Sequence, residues 1–218
     1  MRMTCAFRVA LAAAALSAAA MAGGCAVLSY TVANLAPKPR VKALYELPED
    51  QRALVFPDDV SGQLGYPPLR QLLADKVSAE LMAHELADST VSYDRLNTLA
   101  AQVGQRWHRM DETGMGVAEV TRAVGADLAV YLSIRQFQLK DNPADPAWKG
   151  KLTVLVKVVA ADGQRLWPTD RTDGYELTVE TPPTTGDSPT FGIALTNHLA
   201  NLMAVEVVNL FRTHSAGE

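Results

Sequence analysis

The chain has 218 residues, of which 48% are hydrophobic and 20% charged, and its formal net charge is −4. Those figures allow one compact domain of about 160 residues with its own core once an amino-terminal segment is set aside. The charges are small in sum and mixed in sign, so the basic footprint that a phosphate backbone requires is missing, and nucleic acid is excluded from the expected partners.

The first eight residues carry Arg2 and Arg8 and no acid, and residues 9–22 are uncharged and rich in alanine. This is the pattern of an export signal. It ends on Ala22, Gly23, Gly24 and Cys25, which resembles a bacterial lipobox, with Ala22 where leucine is commonest. The resemblance implies cleavage before Cys25 and transfer of diacylglycerol to its thiolate, the only side chain here that is nucleophilic enough. Cys5 would leave with the signal, so an exported chain would hold Cys25 alone, and an odd exported cysteine calls for a chemical explanation. Two other readings stay open. The uncharged stretch runs on to Ala36, longer than the roughly 20 residues that span a bilayer, so an uncleaved anchor is one. Ordinary cleavage after Ala20 or Ala22, leaving a free thiol, is the other. The Gly23-Gly24 pair weakens a helix where a span would need it. Expected boundaries are a signal peptide over residues 1–24, the lipidated cysteine and a short tether over 25–47, an α/β domain over 48–214 and a tail over 215–218.

Within the tether, Pro37 and Pro39 stand among basic residues with no helical period. Ala53 to Phe56 reads as a buried strand closed by a turn at Pro57-Asp58-Asp59. After Pro67-Pro68, the positions Leu69, Leu72, Leu73, Val77 and Leu81 predict an amphipathic helix. Thr90 to Tyr93 predicts a second strand, and Asp94 an N-cap for a helix carrying Leu96, Leu99, Ala100 and Val103. A polar connection with Trp107 and His108 follows, then a short helix from Val117 ended by Gly125. From Asp127 the period becomes two: Leu128, Val130, Leu132 and Ile134 alternate with Ala129, Tyr131, Ser133 and Arg135, predicting one strongly apolar face. Leu152, Val154, Val156 and Val158 repeat the pattern before a turn at Ala161-Asp162-Gly163. A further strand covers Tyr175 to Thr181, and Ser188-Pro189 opens a last helix with Leu195, Leu199 and Leu202 on one stripe. This order predicts a single α/β domain with a mixed β-sheet flanked by helices.

Two stretches, "GADLAVYLSIRQFQL" and "KGKLTVLVKVVAADGQRLWP", are similar to segments of a superfamily of bacterial envelope proteins. That superfamily includes the curli-assembly lipoprotein, the lipoprotein activators of penicillin-binding proteins and the amino-terminal domain of TolB. The matching residues are Gly125-Ala126-Asp127, Ser133 to Phe137, and Val156 to Trp167. All have scaffold roles: Gly125 ends a helix, Asp127 bonds in the helix-to-strand connection, Gly163 takes the turn and Trp167 packs at the end of the returning strand. The resemblance implies an anchored, non-enzymatic module. The chain departs from these relatives in lacking long amphipathic hairpins for a membrane barrel, a long periplasmic tether and propeller repeats.

No nucleophile elbow, phosphate loop, His-Glu-x-x-His or CxxC occurs. His84, His108, His198 and His214 have no partner at metal-ligand spacing, so neither a metal nor a cofactor is expected. Asp58-Asp59 and Asp111-Glu112 are adjacent acids of the kind that turns usually solvate, whereas glycoside hydrolysis needs carboxylates facing each other across a cleft. Trp107 and Trp148 are candidate partner contacts, against the plainer reading that each covers an edge of the core. The expected function is that of a membrane-anchored envelope lipoprotein that binds an envelope protein partner or itself, held to a bilayer through Cys25. The lipoprotein resemblance, with Ala26 in place of the aspartate that signals inner-membrane retention, implies the outer membrane facing the periplasm. The alternative is an exported hydrolase or small-ligand-binding protein using a cleft near Asp58 and the loop between Asp141 and Trp148.

Overall fold

The computed structural model describes residues 39–59, 64, 66–103, 116–142, 144–186 and 189–216. They belong to two units. The larger, Lys42–His214, is the α/β domain. In the smaller, the Ala216 amide donates to the Pro39 carbonyl at 2.9 Å.

The apolar run after Arg52 forms β1, Arg52–Asp58, in which every residue but the first is buried. A strand buried on both faces belongs in the middle of a sheet with helices on either side. Accordingly β1 pairs in parallel with β2, Ser89–Val91, on one edge and with β3, Leu128–Gln138, on the other. The strand runs on through Pro57, where the sequence predicts a turn. Because β2 ends opposite Leu54, no strand among the described residues lies beside Pro57 on that edge, and a residue without an N–H is tolerated there.

Helix α1, Pro68–Ala83, starts with proline at its first position, where the missing N–H costs nothing. It buries Leu69, Leu73, Ala74, Val77 and Leu81, with Leu72 half-buried. Helix α2, Tyr93–Val103, is capped by Ser92, whose Oγ accepts the Asp94 amide at 3.3 Å. Asp94 is therefore a first-turn residue and not the cap. Helix α3, Val117–Ala123, closes with the Gly125 amide on the Arg122 carbonyl and the Ala126 amide on the Thr121 carbonyl, both at 3.0 Å. That Schellman pattern needs a left-handed residue, and Gly125 has φ +76°.

From β3 the sheet becomes antiparallel. β4, Lys151–Ala160, pairs with β3 through a bulge between Ile134 and Gln136. Its other edge is shared by two strands: β5, Arg165–Trp167, at one end and β6, Tyr175–Glu180, along the rest. The order is β2-β1-β3-β4-β5, with β6 beside β4. Helix α4, Pro189–Asn209, packs on α1 and on β4 and β6. Residues Thr190–Asn209 are long and apolar enough to cross a bilayer, yet Leu199, Ala200, Met203, Ala204, Val207 and Val208 are buried in the core.

The connection from β1 to β2 carries α1, and the one from β2 back to β3 carries α2 and α3. Because the two run in opposite directions, right-handed crossovers put them on opposite faces. Both faces of β3 are then covered over its first seven residues, where alternation predicts only one apolar face. In β4 the alternation holds from Val154 on, where Val154, Val156 and Val158 are fully buried while Leu155, Lys157 and Val159 are half-buried; before it, Thr153 is buried beside Leu152.

Gly174, just before β6, has φ +110°, and a Cβ there would lie 3.0 Å from the Val156 carbonyl oxygen. Gly174→Ala is expected to destabilise the domain by about 1–3 kcal/mol. Gly116→Ala, at the N-cap of α3 with nothing within 4 Å of a built Cβ, is expected to lower stability by less than about 1 kcal/mol, through the poorer cap alone. Thermal melts of the two variants side by side measure the difference.

Candidate functional site

In an open α/β sheet, ligands bind at the carboxyl ends of the strands where the strand order reverses direction. Here that point lies between β1 and β3, and register places Asp58 opposite Ser133 and Phe56 opposite Tyr131. Asp58 is 4% exposed. Tyr131, two residues earlier on the neighbouring strand, donates its hydroxyl to Asp58 Oδ2 at 2.7 Å. Its ring meets Phe56 edge-on at 5.8 Å, which fixes the phenol's direction.

A carboxylate taken out of water needs donors, and the phenol supplies one. Burial pushes the Tyr131 hydroxyl well above its ordinary value, and the Asp58 charge and hydrogen bond add to the effect. Ser133 Oγ lies near enough to oppose that shift slightly, yet it is buried and makes no hydrogen bond of acceptable geometry. Tyr93, the first residue of α2, is pushed up chiefly by burial, with Arg70 opposing and Asp58 and Asp75 adding. The neighbouring Asp59 is used differently, since its Oδ2 accepts the Leu64 amide at 2.8 Å. The two adjacent acids thus accept from different donors, Tyr131 and the Leu64 amide. Asp111 and Glu112 lie outside the described residues.

In the loop between Asp141 and Trp148, Trp148 is half-buried and donates its indole N–H to the Gly186 carbonyl at 2.7 Å. Phe191 meets the ring edge-on at 5.6 Å, and Lys140 Nζ sits 4.6 Å from its centroid. Ala147 and Trp148 also pair with Thr185 and Thr184 in a two-residue ribbon. The loop before it is held by Lys140 Nζ on the Asp145 carbonyl at 2.8 Å and by Lys149 facing Asp141 at 3.6 Å. Cys25, Trp107 and His108 lie outside the described residues. Of the other histidines, His84 faces Glu80 at 3.5 Å, His198 is exposed on α4, and His214 Nδ1 lies 3.2 Å from the Arg212 carbonyl. Among the described residues no three His, Cys, Asp or Glu side chains converge closely enough to hold a metal ion.

A phenol whose folded pKa lies above its unfolded value of about 10 contributes stability that is complete below that value and lost as pH rises through the folded one. Tyr131→Phe is expected to lower stability at neutral pH by about 1–3 kcal/mol, because the buried Asp58 loses a donor. It should also flatten the decline above about pH 10, leaving the part due to Tyr93 and Tyr45, which burial raises as well. Urea unfolding of both proteins across that range measures the two effects.

No protein-family model and no curated protein matches the chain. Solved structures similar to it include the PelC dodecamer from Paraburkholderia phytofirmans, at 11% identity over 81% of this chain and 97% of that one, with a TM-score of 0.40. Lipoprotein GNA1162 from Neisseria meningitidis is 11% identical over 72% of this chain and 99% of that one, with a TM-score of 0.44. An uncharacterized lipoprotein B from Nitrosomonas europaea is 10% identical over 77% of this chain and 84% of that one, with a TM-score of 0.35. Lipoproteins are thus among the structures similar to this chain, at a level of similarity that transfers no role from any of them to it.

Proposed function

We propose that the chain is a lipid-anchored protein of the cell envelope, held through Cys25 and facing the periplasm from the outer membrane, whose α/β domain is a non-enzymatic binding or assembly module. The observation that carries this reading is Ala22-Gly23-Gly24-Cys25 at the end of a basic, then uncharged, leader. A small-residue approach to a lone cysteine is what lipid transfer requires, and lipidation accounts for a thiol that otherwise has no partner. Lipid attachment confines the domain to a surface and raises its effective concentration for a partner held there.

A second reading, an exported small-ligand binder or hydrolase at the carboxyl end of β1, has one observation in its favour: Ser133 Oγ is buried beside Asp58 without a hydrogen-bond partner. In that reading a ligand's polar group would complete Ser133.

Mass spectrometry of the chain isolated from its native envelope is expected to find an amino terminus at Cys25 carrying diacylglycerol. Cys25→Ser should move the protein from the membrane to the soluble fraction with an unchanged thermal melt. An intact terminus at Met1 with an unmodified Cys25 would overturn the anchoring.

A further inference from the structure

A hollow of about 630 Å³ opens where the residues before β1 meet the end of α1. Five carboxylates ring it, those of Glu46, Glu49, Asp50, Glu85 and Asp88, and no lysine or arginine is among its lining residues. Its apolar part comes from Leu47, Met82, Leu86 and Phe211. None of the five carboxylates has an ion-pair or hydrogen-bond partner among the described residues. The acids also stand too far apart to be a cation site, since no three of them converge on one point. An occupant must therefore bring several positive charges spread over some distance, together with apolar surface.

The chain itself carries such a segment. Residues 38–44 read "KPRVKAL", with Lys38, Arg40 and Lys42 at alternate positions. Arg40–Val41 is a strand. Arg40 and Lys42 are exposed and have no acidic partner among the described residues. The exposed apolar residues point the same way. Val41, Leu44 and Met82 are 42%, 53% and 41% exposed, and beside Ile193 they are the large hydrophobics left in solvent among the described residues. Two of them lie in the basic segment and the third in the hollow. Unpaired charge of opposite sign, each with solvent-exposed apolar area, is what the two halves of an interface look like when they are apart.

We infer that the chain associates head to tail with copies of itself, the basic strap of residues 39–44 in one copy lying in the acidic hollow of the next. The contact joins two different surfaces, so it either closes into a ring or extends as an open row. The strap follows the expected anchor at Cys25 by little more than a dozen residues, so the contacts would form near the bilayer, between copies already concentrated on it. This inference rests on the reading of the chain as an anchored assembly module and names the partner as a second copy.

Native mass spectrometry of the mature protein released from detergent is the test. At low ionic strength, multiples of the protomer mass are expected, falling to the protomer as salt rises. Arg40→Glu with Lys42→Glu, or Glu49→Lys with Asp50→Lys, should each weaken association on the order of tenfold or more. Mixing the two double variants should restore it, and that recovery also shows both to be folded. A protomer at low ionic strength, association that ignores both reversals, or no recovery on mixing overturns the inference. A strap lying in its own chain's hollow would give the first of these results. If the protein is lipidated at Cys25 yet stays a protomer, the anchoring stands and only the choice of partner fails.

Discussion

Asp127 holds the start of the sheet from three directions. Its carboxylate accepts the Arg52 amide at 2.8 Å, its own amide donates to the Arg52 carbonyl at 2.9 Å, and its carbonyl accepts the Ala161 amide at 2.8 Å. One residue thus ties the first position of β1, the entry to β3 and the turn after β4. A slip of one position in the β1–β3 pairing would turn Leu54 and Phe56 away from the face they share with Ala129 and Tyr131. With the start fixed, the register brings Asp58 opposite Ser133 at the far end, and the Tyr131 hydroxyl donates to the buried Asp58 carboxylate.

The Gly125-Ala126-Asp127 triplet is legible in the sequence because each residue is under a local constraint. Gly125 must adopt a left-handed backbone, and a carboxylate just before an apolar strand has few local partners other than backbone amides. Elements defined by distant pairing are harder to read. Nothing local indicates that β2 stops opposite Leu54, so Pro57 reads as the end of β1 although the strand continues. The alternation in β3 predicts one covered face, but Ala129, Tyr131 and Ser133 are buried too, because α2 and α3 return across the sheet. The capping role passes from Asp94 to Ser92 for a simpler reason: both are good caps, and the choice between them depends on where α2 leaves β2.

The sites divide in the same way. Asp58 stands out in the sequence as an acid at the end of a strand, but its partner Tyr131 is 73 positions away and emerges only from the register. The acidic hollow has no signature in the sequence, since Glu46, Glu49 and Asp50 precede β1 while Glu85 and Asp88 follow α1, more than 30 positions later. The fold brings these two ordinary stretches together with Phe211. The basic stretch around Arg40 and Lys42 reads only as a tether, because nothing local relates its charges to acids brought together elsewhere by the fold.

The central claim, an anchored domain that assembles through this surface, is tested most directly in intact envelopes with a photo-crosslinking amino acid in place of Met82. The account predicts an adduct whose second peptide includes residues 39–44 of another copy. No adduct at native abundance, or adducts confined to other proteins, would contradict it.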